Sequence, residues 1–176
     1  MDVVKKLALV VAAAGTLAVQ GVALAADGQV NFTGTMQTAS CKVANAANGV
    51  VTVALGSIAT TSFATVGAKS GEEVFSINLT GCPTGSKVNL RFSGLSDSTN
   101  VDLLAIATGT GTATGVAVGL SNDDGSALSL ATNSNQVAAD ATGAATLGFR
   151  AYYQSTAATV GAGTASATAF FTLIYN

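Results

Sequence analysis

Apolar side chains recur at every second position through most of this chain. Phe75, Ile77 and Leu79 form one such set, and Val88, Leu90 and Phe92 a second. Val116, Val118 and Leu120 form a third, and Leu147, Phe149, Ala151 and Tyr153 a fourth. A period of two belongs to a strand with one buried face, whereas a helix needs a period near 3.6. No segment downstream of Gly28 carries a convincing helical period. Shorter sets (Val51, Val53 and Leu55; Leu103 to Ile106; Leu128 and Leu130) lie between them, and the run 165–175 places Ala165, Ala167, Ala169, Phe171, Leu173 and Tyr175 on one face. Gly81-Cys82-Pro83 and Asn122-Asp123-Asp124-Gly125 read as turns, the second as a hairpin turn with Gly free to take positive φ. The segment 58–66 is mixed, with room for a strand switch or a short helical turn. Six to eight short strands separated by turns predict an all-β sandwich.

The N-terminal segment is organised differently. Lys5 and Lys6 precede an apolar run, Leu7 to Val19, and Ala23-Leu24-Ala25 comes next with the small-x-small pattern of a signal-peptidase site. The apolar core is too short to span a bilayer. Residues 1–25 are therefore read as an export signal, cut after Ala25. The cut leaves a polar and apolar alternation at a free chain end: Gly28, Val30, Phe32, Gly34 and Met36 on one face, and Gln29, Asn31, Thr33 and Thr35 on the other. An apolar strand at a loose end needs a sheet to enter, its own or a neighbour's. Residues 26–38 form this arm, and residues 39–176 the sandwich domain.

Composition narrows the function. About 150 residues remain after the signal, enough for one domain. Without Asp2, Lys5 and Lys6, five basic and eight acidic residues leave a net charge of −3, which argues against a nucleic-acid partner. The chain has no His, so the commonest general base and metal ligand is missing. No carboxylates cluster, and the expectation is a protein that is not an enzyme and needs no cofactor or metal. Asp123-Asp124-Gly125 lacks calcium-loop spacing and Glu72-Glu73 reads as a solvated loop face. Tyr152-Tyr153-Gln154 could offer a sugar-binding edge, though a strand with one Tyr turned inward fits better. Two cysteines, Cys41 and Cys82, in an exported chain predict one disulfide, with two free thiols as the alternative.

These features together resemble the type 1 fimbrial subunits of the chaperone–usher pathway. The arm Val30-Asn31-Phe32-Thr33-Gly34 looks like the donor strand of such pilins, and the Cys41 to Cys82 spacing is similar to that of the pilin disulfide. Gly163 is fourteenth from the last residue and Tyr175 is penultimate, as in the pilin C-terminal motif. Phe149-Arg150-Ala151-Tyr152-Tyr153 and Gly115-Val116-Ala117-Val118-Gly119-Leu120 read like late pilin strands. The leader departs slightly, opening with Asp2.

The resemblance implies an incomplete immunoglobulin-like sandwich that lacks its last strand and carries an N-terminal donor-strand extension. Val30, Phe32, Gly34 and Met36 would be the donor-strand residues, with Phe32 the anchor. Gly163, Phe171, Leu173 and Tyr175 would mark the groove and the contact with a periplasmic chaperone. The implied partners are neighbouring pilin subunits, that chaperone and an outer-membrane usher. The implied place is a fimbrium on a Gram-negative cell surface, reached through the periplasm. The competing reading is a self-complete secreted β-sandwich that binds carbohydrate or protein and uses residues 30–36 as its own edge strand.

Overall fold

The alternating sets Phe75 to Leu79, Val88 to Phe92, Val116 to Leu120 and Leu147 to Tyr153 each occupy a strand in the structure, a computed structural model that describes Asn31, Thr33 and residues 41–175. The chain divides into two compact units, Met1–Met36 and Gln37–Asn176. In the first, Asn31 and Thr33 are exposed and belong to no regular element. The expected signal, and Val30, Phe32, Gly34 and Met36 of the expected arm, lie outside the described residues.

In the second unit the strands are β1 (Lys42–Val43), β2 (Lys69–Thr80), β3 (Lys87–Gly94), β4 (Leu104–Ala105), β5 (Val116–Asn122), β6 (Val137–Ala138), β7 (Ala145–Ser155) and β8 (Ala169–Tyr175). A 3-10 turn, Thr60–Ser62, settles the mixed segment 58–66 as a helical turn. Two sheets form, with orders β1-β2-β7-β5-β4 and β6-β3-β8. Every strand pair is antiparallel. The architecture is therefore all-β with two sheets, as the alternation requires.

Between the sheets lies one apolar core. Ile77 and Leu79 of β2, Val88 and Leu90 of β3, and Leu147 and Phe149 of β7 are almost fully buried. Aromatic rings cross it: Phe75 and Phe149 have centroids 5.5 Å apart, Phe149 and Phe92 5.1 Å, and Phe92 and Phe171 6.3 Å. The last two are edge-on contacts, which match the ring quadrupoles. β5 is buried on both faces. Its inward residues are Val116, Val118 and Leu120, and its outward ones, Ala117, Gly119 and Ser121, are small. The Tyr152 ring lies directly on Gly119, where any Cβ would collide with it. The Lys69 ammonium stands 4.3 Å from that ring's centroid.

Several elements differ from expectation. Glu72 and Glu73 belong to β2 rather than to a loop, beside an irregularity between Ser70 and Glu73 where Gly71 has φ of 69°. Glu72 is held by Arg150, whose Nη1 approaches Oε1 to 2.6 Å, while the same guanidinium donates to the Asp123 carbonyl. Leu128 and Leu130 form no strand; the backbone around them meets β5 through the Ser121 to Ala127 bridge and the bonds from Asn122 N–H to the Ser126 carbonyl and from Leu128 N–H to the Leu120 carbonyl. β6 carries no alternating set long enough to be seen in sequence. The final strand begins at Ala169, not Ala165, and Ala167 is exposed rather than sharing the buried face.

Candidate functional site

Among the described strands, β8 is at the edge of its sheet. One of its sides is paired in full with β3, from Val88 opposite Tyr175 to Gly94 opposite Ala169. No described strand pairs with its other side. Facing that edge across a gap is the segment 51–58. Its burial alternates: Val51, Val53 and Leu55 pack on the core while Thr52, Ala54 and Gly56 are exposed. The alternation matches the sequence expectation, but the segment forms no strand, and no backbone hydrogen bond joins it to a neighbour among the described residues.

Among the described residues, nothing pairs with either of these two walls on the side where they face each other. A groove of about 630 Å³ runs there, bounded by residues 49–56 on one side and 165–171 on the other. Its floor is core itself: Phe75 and Ile77 from β2, Phe92 from β3, Val118 and Leu120 from β5, and Tyr153 from β7. No charged residue lines it among the described residues. An unpaired strand edge beside an apolar groove is costly in water, because backbone amides and apolar surface both want partners. The chemistry that satisfies both at once is an extended, uncharged segment with apolar residues at alternate positions.

Of the residues expected at the groove from the sequence, Phe171 lines it. Leu173 and Tyr175 lie further along the same face of β8, half-buried against the core and beyond the open part. The Tyr175 hydroxyl accepts a hydrogen bond from Cys41 N–H at 3.1 Å, which ties the end of β8 to the start of the described domain. Gly163 is elsewhere, in the loop before β8. It rests on the backbone of residues 111–113 so closely that no Cβ could fit. Its neighbour Thr164 bonds that segment in both directions. Gly163 therefore sets the path by which the chain approaches the groove wall rather than forming the groove.

Cys41 and Cys82 form the disulfide, so the free-thiol alternative is excluded. It fastens the start of the domain to the turn after β2, which itself is bonded to the Gly143 carbonyl through Cys82 N–H.

Sequence reasoning turns one Tyr of β7 inward but does not find its partner. Tyr153 continues the inward phase of Leu147, Phe149 and Ala151, so its ring enters the groove, whereas Tyr152 is turned to the other face and covered. The Tyr153 hydroxyl donates to the Ala165 carbonyl at 2.8 Å. Burial pushes that hydroxyl above the usual tyrosine value. The phase of β7 signals an inward ring; its partner on the opposite wall is known only from the fold.

Comparison with known proteins agrees with this geometry. The profile of the family described as fimbrial protein matches residues 30–176. A type-1 fimbrial protein subunit of Serratia marcescens is 36% identical, over 97% of this chain and 99% of its own. A probable major fimbrial subunit of Escherichia coli O157:H7 is 35% identical, over 85% and 84%. Among solved structures, a Burkholderia pseudomallei antigen and type I fimbria protein superposes with a TM-score of 0.59 at 37% identity, covering 77% of this chain and 88% of that one. The P pilus rod subunit superposes at 0.62 with 21% identity, over 77% and 99%, and so shares the fold. The two-sheet sandwich, its disulfide and these relationships place the chain in the fimbrial protein family.

Proposed function

We propose that this chain is a structural subunit of a bacterial fimbria, and that it joins its neighbours by donating a strand. The observation that carries the reading is the open groove beside β8, walled on both sides by backbone without a ladder partner among the described residues. The occupant is the arm of a second subunit. Residues 28–36 hold no charge, as the groove lining holds none, and they alternate in the manner that a sheet edge requires. Val30, Phe32 and Met36 face the groove, with Phe32 in its deepest part. Each gains roughly 1.5–3 kcal/mol on burial. Gly34, without a Cβ, lets the strand seat where the groove is shallow.

Ordering the arm costs backbone entropy of about 1–2 kcal/mol per residue. Contacts of the arm alone therefore leave little net gain. The rest comes from the acceptor, whose apolar groove closes when the strand enters. Residues 1–25 direct export, and a periplasmic chaperone shields the groove until an outer-membrane usher brings subunits together at the cell surface. The chain's role is mechanical and adhesive rather than catalytic.

Assembled material tests this. Fimbriae sheared from cells and run in SDS without heating should give a ladder that collapses to monomer on boiling. Phe32→Asp should keep the subunit in the periplasm and abolish the ladder. A normal ladder from the Asp variant would remove Phe32 as anchor, and a ladder from a chain lacking residues 26–38 would remove strand donation altogether.

A further inference from the structure

The wall of the groove that precedes β8 has almost no ladder of its own. Residues 165–168 are in no strand, and two cross-connections hold them. The Tyr153 hydroxyl reaches from the opposite sheet to the Ala165 carbonyl, 2.8 Å away. The Ala107 N–H reaches the Ser166 carbonyl at 2.7 Å. The second is a backbone bond that any sequence could make. The first depends on one atom, in a groove whose lining is otherwise aliphatic, aromatic or hydroxyl-bearing at its rim. Tyr153 is doubly placed: its ring is floor, and its hydroxyl holds the wall.

We infer that Tyr153 is the positioning residue of the empty groove, holding residues 165–168 at the separation that an incoming strand needs. The inference rests on the strand-donation reading above. While the groove is empty, no other side chain among the described residues fixes that wall on its open side, because β8 has no partner there. Once a strand is in place, its own hydrogen bonds along β8 take over, and the hydroxyl becomes redundant. A preorganised receptor lowers the ordering cost of binding, so the effect belongs to capture rather than to the stability of the filled domain. The hydroxyl is well suited to this. It is partly sheltered from water by the groove, which strengthens its bond to the carbonyl, and an aromatic ring with two rotatable angles loses little entropy in holding it.

The test separates capture from stability. The mature full-length chain, disulfide intact, is mixed with a fluorescent peptide spanning residues 28–38, and uptake is followed by anisotropy. The same comparison is made for Tyr153→Phe, which removes one oxygen and keeps the ring. Loss of one such bond predicts capture slower by about three- to tenfold. In a version closed by its own strand fused after Asn176, the melting temperature should stay the same. Equal capture rates in the two proteins would overturn the inference. So would a Phe variant that fails to fold, or one whose closed form melts lower in proportion, since either makes the hydroxyl a plain stability group. No uptake by the unsubstituted chain would instead be the failure of strand donation itself, and the positioning role would go with it.

Discussion

Asp140 shows how single side chains hold this loop-rich sandwich in shape. One oxygen of its carboxylate accepts hydrogen bonds from Thr142 N–H at 2.8 Å, the Thr142 hydroxyl at 2.6 Å and Ala144 N–H at 3.0 Å. Gly143, with φ of 76°, then passes so close to the Cys82 carbonyl that a Cβ would press on it. Asp140 thus shapes the turn that feeds β7 and seats it beside the disulfide. The bonds, from Thr142 first, hold its carboxyl below the ordinary value of 3.8. Asp124 is lowered in the same sense, chiefly by Ser126, which it accepts from at 2.8 Å. A depressed native value means that the contribution is complete above 3.8 and fades as pH falls through the lower native value. Asp140→Asn should therefore leave a domain that is slightly less stable at neutral pH and whose stability falls less as pH drops through the carboxylate range and below it. Melting temperatures across that range decide it; parallel curves for the two proteins would assign the acid sensitivity to other groups. Both carboxylates are exposed, so the difference is small.

At the scale of elements, strands declare themselves when all their information lies on one face. β3, β5 and β7 carry Val88-Leu90-Phe92, Val116-Val118-Leu120 and Leu147-Phe149-Ala151 inward, and alternation alone locates them. β2 is longer than its apolar half because Glu72, Glu73 and Val74 face solvent around an irregularity, where burial imposes no pattern. Residues 51–55 and 165–168 are the reverse case. Their sequence reads as strand, yet pairing is a property of a neighbour, and neither segment has one on the groove side among the described residues. The candidate site is legible to the same extent. Phe171 can be placed from its phase in β8, while Gly163 lies in the loop before β8 and Tyr175 beyond the groove at the end of the strand. β1 has only two ladder residues, and its attachment to β2 is reinforced by side chains: the Asn45 amide donates to the Ser76 carbonyl and accepts from Asn78 N–H. Such a short element needs the disulfide. Closing a separation of 41 residues removes denatured-state entropy worth about 4 kcal/mol in the chain-entropy description. Replacing Cys41 and Cys82 together by Ser should lower stability by about that amount and cut the yield of assembled fibre. Unfolding in urea measures the first; a loss under about 1 kcal/mol would show that β1 is held by its other contacts.

The second unit, over its described residues, is a two-sheet folding unit with a groove along one line beside β8. Its two sheets enclose a well-packed core, from Ile77 to Phe149, and residues of that core line the groove where β8 and residues 49–56 face each other without a described strand between them. A domain built this way has its stability divided between itself and whatever fills the gap. That division can be measured by supplying the strand in cis. Appending residues 28–36 after Asn176 through a short flexible linker raises the effective concentration of the strand to millimolar or above. The fused protein should be a soluble monomer, melt cooperatively above the unfused chain and refuse a labelled arm peptide, because its groove is taken. The apolar face of the graft carries the effect, so the same fusion with Val30, Phe32 and Met36 changed to Ser should behave as the unfused chain does. If both fusions melted alike, the open line beside β8 would not be a place for a strand, and the polymer would have to be joined through another surface.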